Sequence, residues 1–207
     1  MKALTVKEYS TLWQTMELSG SWDIPLLKSD DFEVDSILGF NYCMSTPELK
    51  KGEEPTVHFF LDDHEFERVW NYPARYYDLL KKFHGCFTPD FSLYSDYPMA
   101  VQLYNTFRNR CVGVWWQKQG IKVIPTIGWG TEETFDFCFD GVEPGGTVVV
   151  ATRGVMREGA DVREAFKAGY KEMMERLEPK LIYVYGSDPN KLGLAGETRH
   201  IKYDSQY

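Results

Sequence analysis

Three aspartates stand where short apolar runs end. Asp62 and Asp63 follow Thr56–Leu61, and Asp90 follows Gly85–Thr88 and Pro89. Neighbouring carboxylates can divide acid and base roles or hold a divalent cation. Asp62 and Asp63 also have a plain structural reading as helix caps, because an Asp between a strand and a helix accepts the first free backbone N–H groups. Asp90 fits that reading less well. It precedes Phe91–Tyr94, well ahead of a helix that opens at Pro98. Arg153 follows an apolar strand, where a guanidinium can grip a phosphate or carboxylate through paired N–H donors. A salt bridge to one of the aspartates is the alternative. Trp129, between Gly128 and Gly130, can stack on a planar ligand or serve as a lid. Thr152, Tyr185, Tyr94 and His64 complete the set, with the two tyrosines as further stacking surfaces and His64 as the one histidine at these junctions.

These residues share one property: each lies just past a predicted strand. The strands begin near 56, 85, 121, 147 and 181, one per roughly thirty residues, the spacing of parallel βα crossover units. In such folds ligands bind at the carboxyl ends of the strands. All nine residues are therefore expected on one rim. The fold class is α/β: successive βα units that form a partial or distorted TIM-like barrel, or an open parallel sheet, since the chain ends before eight units. One domain over 1–207 is expected, with an N-terminal helix and linker over 1–35 and a C-terminal extension over 190–207.

The patterns supply the details. Thr5 and Glu8 form a capping box for a helix from Thr5 to Ser19, which Gly20 ends. Ile37–Tyr42 reads as a first strand, and the charged stretch Ser45–Pro55 as a solvated loop. A helix after His64 runs to Phe83 with a break at Pro73. Pro98 opens a long helix to Gln119, whose buried face is expected at Tyr104, Phe107, Cys111 and Trp115. A short helix is expected over 134–139. Asp161 and Glu164 cap a helix that Pro179 ends. An edge strand is expected at 200–203. His58 and His84, within or at the start of strands, read as structural.

Composition narrows the classes. Of 207 residues, 43% are hydrophobic, 15% aromatic and 26% charged, as in a folded globular protein. A net charge of −8 argues against nonspecific nucleic-acid binding, which needs a basic stripe. The four cysteines are scattered, without metal-binding spacing, and Cys111 and Cys138, among apolar neighbours, read as buried thiols. No metal ligand set stands out and no cofactor is identified. Phosphate-loop and dinucleotide fingerprints are absent, and no Ser or Cys has a triad partner. The start of the chain lacks a signal peptide and no run is long enough to span a bilayer, so a cytoplasmic location and no membrane partner are expected.

Several long strings occur in order. They include VHFFLDDHEFERVWNYPARY (57–76), TPDFSLYSDYPMAVQLYNTFRNR (88–110), VIPTIGWG (123–130) and TFDFCFDGVEPGGTVVVATRGV (134–155), with IPLL, LGFNY and YVYG beside them. In these the chain resembles the family catalogued as domain of unknown function 4417, from about Trp22 to Gly186. The resemblance implies a small protein of bacteria, phages or mobile elements. It supplies no reaction and no catalytic residue. The family strings LDD, TPDFS, TIGWG and ATRGV fall at the strand ends already singled out.

Three functions stay open. In the first, the rim binds a small, nucleotide-like ligand, in counter-defence for a phage or mobile element. Trp129, Tyr94 and Tyr185 would stack and Arg153 would hold phosphate, and a homo-oligomer is the expected state. In the second, the protein is a hydrolase or phosphodiesterase-like enzyme using Asp62, Asp63 and Asp90, with or without a metal. In the third, an acidic surface binds a host macromolecule.

Overall fold

The computed structural model describes residues 14–45, 54–153, 155 and 159–202. It opens with β1 (Leu18–Ser19) and β2 (Ile24–Pro25), an antiparallel pair. This corrects the C-terminal part of the expected first helix, since residues 14–19 form a turn and a strand. Gly20, at φ +71°, and Asp23, at φ +53°, reverse the chain in the left-handed region. Leu26 N then bonds Glu17 O at 2.8 Å, so the strand pairing supplies the partners a last helical turn would have supplied. Residues 1–13 of the expected helix lie outside the described residues.

Seven parallel strands follow, alternating with helices. They are β3 (Ile37–Gly39) leading into α1 (Phe40–Cys43); β4 (Thr56–His58) leading into α2 (Asp63–Phe66), α3 (Arg68–Asn71) and α4 (Tyr77–Leu80); β5 (Gly85–Phe87) before α5 (Met99–Lys118); β6 (Val123–Ile124); β7 (Thr147–Ala151) before α6 (Ala160–Leu177); β8 (Leu181–Gly186) before α7 (Pro189–Leu192); and β9 (Thr198–Lys202). The helix expected from His64 to Phe83 is broken into short pieces, with a 3-10 turn at Pro73–Tyr76. The helix expected over 134–139 is a 3-10 turn at Glu132–Asp136. Gly159, not Asp161, occupies the N-cap of α6; Asp161 lies in its first turn, where a negative charge meets the positive helix end.

The ladders run β3-β4-β5-β6 and β7-β8-β9, every pair parallel. A parallel bridge between Thr126 and Val149 joins the two. Around it Ile127 N bonds Val149 O at 2.8 Å and Val149 N bonds Pro125 O at 2.9 Å. Neighbouring strands are thus consecutive in the chain.

The sheet curls strongly. Tyr185 of β8 stacks on Phe60, just past β4, with centroids 4.4 Å apart. Those strands stand four spacings apart in the ladder order, about 19 Å in a flat sheet. Along β7, Val148 and Val150 pack into an outer core with α6, while Val149 faces inward with Phe87, Ile124, Tyr183 and Tyr185. On β4, Val57 joins the outer core around α5. This alternation is the period-two pattern of a sheet buried on both faces. The curl does not close: among the described residues no ladder joins β3 to β9.

Helix α5 departs from its expected face. Cys111 and Trp115 are buried, but Tyr104 is 46% exposed. The buried side of its first half carries Gln102, Asn105, Thr106, Asn109 and Arg110 instead. All four cysteines are buried and none is in a disulfide. No described helix is long and apolar enough to cross a membrane.

Candidate functional site

The strand ends are held in place by threonines. Thr88 Oγ1 accepts the Thr126 N–H at 2.7 Å, and Thr126 Oγ1 donates to Thr88 O at 2.7 Å, which extends the β5–β6 pairing past its ladder. Thr152 does the same between β7 and β8. Its Oγ1 donates to Tyr185 O at 3.0 Å and accepts the Ser187 N–H at 2.6 Å.

The loop that carries Asp90 is clamped from behind by α5. Asn109 Nδ2 donates to Pro89 O at 2.7 Å, Asn105 Nδ2 to Ser92 O at 2.6 Å, and Gln102 Nε2 to Tyr97 O at 2.9 Å. These amides recur at spacings of three and four, one face of a helix. Behind them the buried Arg110 donates to Thr126 O, Cys138 O, Asp140 O and Asn109 Oδ1. Burial lowers its pKa to about 10.

Two cavities open at this end of the sheet. A smaller one, about 420 Å³, is lined by Asp62, Asp90, Tyr94, Trp129 and Arg153 among others. A larger one, about 720 Å³, lies between β3–β4 and β8–β9 and is lined by Asp62, Arg153 and Tyr185 together with His58 and Glu65. Asp62 and Arg153 border both. Six of the nine expected residues thus reach a cavity. Asp63, His64 and Thr152 line neither of the two.

The three aspartates have different surroundings. Asp62 holds the N-cap position of α2, but its side chain makes no cap hydrogen bond, and it is exposed. Asp63 accepts the Ser92 hydroxyl at 2.8 Å and lies 3.7 Å from Arg108. Arg108 in turn donates to both oxygens of Glu67 and lies over the Phe91 ring at 3.6 Å. Asp90 is partly buried. Loss of hydration raises its carboxyl to about 7, and the charge of Asp63 adds to the shift.

The other rim groups differ as much. Arg153 is exposed and makes no ion pair among the described residues. Trp129 packs on Phe166 at 5.1 Å and on Phe139 at 6.0 Å, over Gly169 of α6. Tyr94 is exposed against Tyr97. Tyr185 is buried in the stack with Phe60. Among the described residues no group of three or more His, Cys, Asp or Glu side chains is placed to hold a metal.

The α5 clamp and His58 were not picked out as site groups from the sequence. The clamp had a signal in the amide spacing at 102, 105 and 109. His58 had none, since its role depends on strands far apart in the chain.

A family model described as Domain of unknown function (DUF4417) matches residues 16–203. The chain is 40% identical over 175 residues to the Gene 1 protein of Mycobacterium phage L5, covering 84% of this chain and 76% of that protein. It is 37% identical over 175 residues to the Gene 1 protein of Mycobacterium phage D29, covering 84% of this chain and 64% of that protein. No solved structure matches.

Proposed function

We propose that this chain, which belongs to the DUF4417 family, binds a small anionic, nucleotide-like molecule at the C-terminal ends of its parallel strands. The observation that carries this reading is the position of Arg153. It is an exposed guanidinium without an ion pair among the described residues, on the shared border of the two cavities. Its fork of N–H donors fits a phosphate held in two parallel bonds. Strands β3 to β9 are parallel and consecutive, and parallel α/β folds use this end of the strands for ligands. Both relatives are phage proteins, and counter-defence is the role we propose for such binding.

Native mass spectrometry of the purified protein, followed by calorimetry with AMP, ATP and cyclic diguanylate, tests it. At least one nucleotide is expected to bind, with a loss of about tenfold or more in R153A, the worth of one or two charge-assisted hydrogen bonds. No binding, or binding that R153A leaves intact, overturns it.

A second reading, an acid–base hydrolase, is favoured by Asp90. A carboxyl that titrates at about 7 can exchange a proton at neutral pH, and Asp62 lines the same cavity. Asp63 would position the loop through Ser92. This reading expects D90N to fold normally and to lose turnover of nucleotide phosphodiesters. Equal turnover in D90N removes it.

A further inference from the structure

The 720 Å³ cavity occupies the seam where the curled sheet stays open, and Arg153 stands on its border. Resting on the reading that Arg153 holds a phosphate, we propose that this seam cavity receives the nucleobase of the same ligand, with His58 and Glu65 reading the base edge.

His58 is held as a donor. Its Nδ1 accepts the backbone N–H of Phe60 at 3.3 Å, so a neutral ring carries its proton on Nε2. The ring is neutral at physiological pH, because burial lowers its pKa to about 4. Nε2 makes no hydrogen bond to another described residue.

An acceptor lines the same cavity. Asn41 Nδ2 donates to one oxygen of Glu65 at 3.0 Å, which orients the carboxylate and leaves its second oxygen open. A Cβ built on Gly39 would lie 2.7 Å from Asn41 Oδ1 and 3.6 Å from His58 Cε1. The amide that orients Glu65 and the imidazole therefore flank the same bare backbone position.

A fixed donor and an oriented acceptor on the lining of one cavity complement the edge of a nucleobase, which presents both kinds of group. The stacked rings of Phe60 and Tyr185 supply an apolar wall. The volume lies within the range of small-molecule sites, roughly 300–1,000 Å³.

The test is calorimetry of the full chain with GMP, AMP, UMP and ribose 5-phosphate. At least one nucleotide is expected to bind about tenfold more tightly than ribose 5-phosphate. E65Q and H58F are expected to bring that nucleotide to the ribose 5-phosphate level and to leave ribose 5-phosphate unchanged. If H58F does not fold, E65Q and the shift of the His58 Nε2 resonance on nucleotide addition carry the test. Ribose 5-phosphate matching every nucleotide, with R153A weakening all four, overturns the base pocket and leaves the Arg153 reading standing. No binding of any of the four overturns both.

Discussion

Asn109 donates from Nδ2 to the carbonyl of Pro89 at 2.7 Å, and so holds the backbone one residue ahead of Asp90. The same side chain accepts from Arg110 through Oδ1 at 2.7 Å. One buried amide thus joins the long helix, the candidate loop and the buried arginine.

Replacing Asn109 with Ala removes one of the two donors to the Pro89 carbonyl, which keeps the Phe91 N–H, and one of the acceptors of Arg110. Each buried hydrogen bond contributes about 0.5–1.5 kcal/mol, so the two together amount to about 1–3 kcal/mol. Urea denaturation of N109A is expected to show a loss in that range. A change under roughly 0.5 kcal/mol, the scale of a neutral surface substitution, would show that the clamp is dispensable.

Asp90 and His58 are expected to impose opposite slopes on stability against pH. In the fold Asp90 titrates at about 7, against an ordinary 3.8. The folded state binds the extra proton between those values, so stability falls as pH rises through that window. His58 stays neutral down to about 4, against an ordinary 6.5. The unfolded state binds the extra proton there, so stability falls as pH drops from 6.5 to 4. The two effects oppose one another between pH 4 and 6.5. D90N removes one of them. It is expected to be more stable than the parent at pH 8, by up to roughly 4 kcal/mol, and to lose stability on acidification through the His58 window. Parallel stability curves for the two proteins would contradict the assignment.

Arg153 contributes little to the fold, because it is exposed and without an ion pair among the described residues. The melting temperature of R153A is expected within about 1–2 °C of the parent, as for a neutral surface change. A large drop would show that the guanidinium is a structural group, and the lost binding could then be assigned to misfolding.

Gly169 of α6 leaves the space that the Trp129 indole fills, and a Cβ there would meet the ring. G169A is therefore expected to displace Trp129, with a cost of about 1–3 kcal/mol for overpacking. A change in tryptophan emission and a lower urea midpoint are the readouts. Unchanged emission and midpoint would mean that the ring is free to swing into the 420 Å³ cavity at no cost.

Much of the rim was legible before any coordinates, because a βα unit places the residue after each strand at one end of the sheet. Asp62, Asp90, Trp129 and Arg153 were found in this way. The same rule could not tell Asp62 from Asp63. Neighbours along the chain at a helix start point in different directions: one lines the cavities and the other binds Ser92 and Arg108. Tyr104 was expected inside α5 because apolar spacing dominates such a reading. The buried side there is polar, since it must satisfy the carbonyls of the Asp90 loop. The N-terminal pattern through Ser19 read as helical, and the left-handed residues Gly20 and Asp23 turned its last part into a strand pair.

The consecutive order of strands and helices follows from the sequence, because apolar periodicity and turn residues are local properties. The sequence also places the rim, since strand direction follows from connection length. How far the sheet curls, where it stays open, and that His58 faces the seam cavity emerge in the folded chain. Those outcomes depend on contacts such as Phe60 on Tyr185, between residues more than a hundred positions apart in the chain. They come from packing across the interior, for which no periodicity along the chain is a signal.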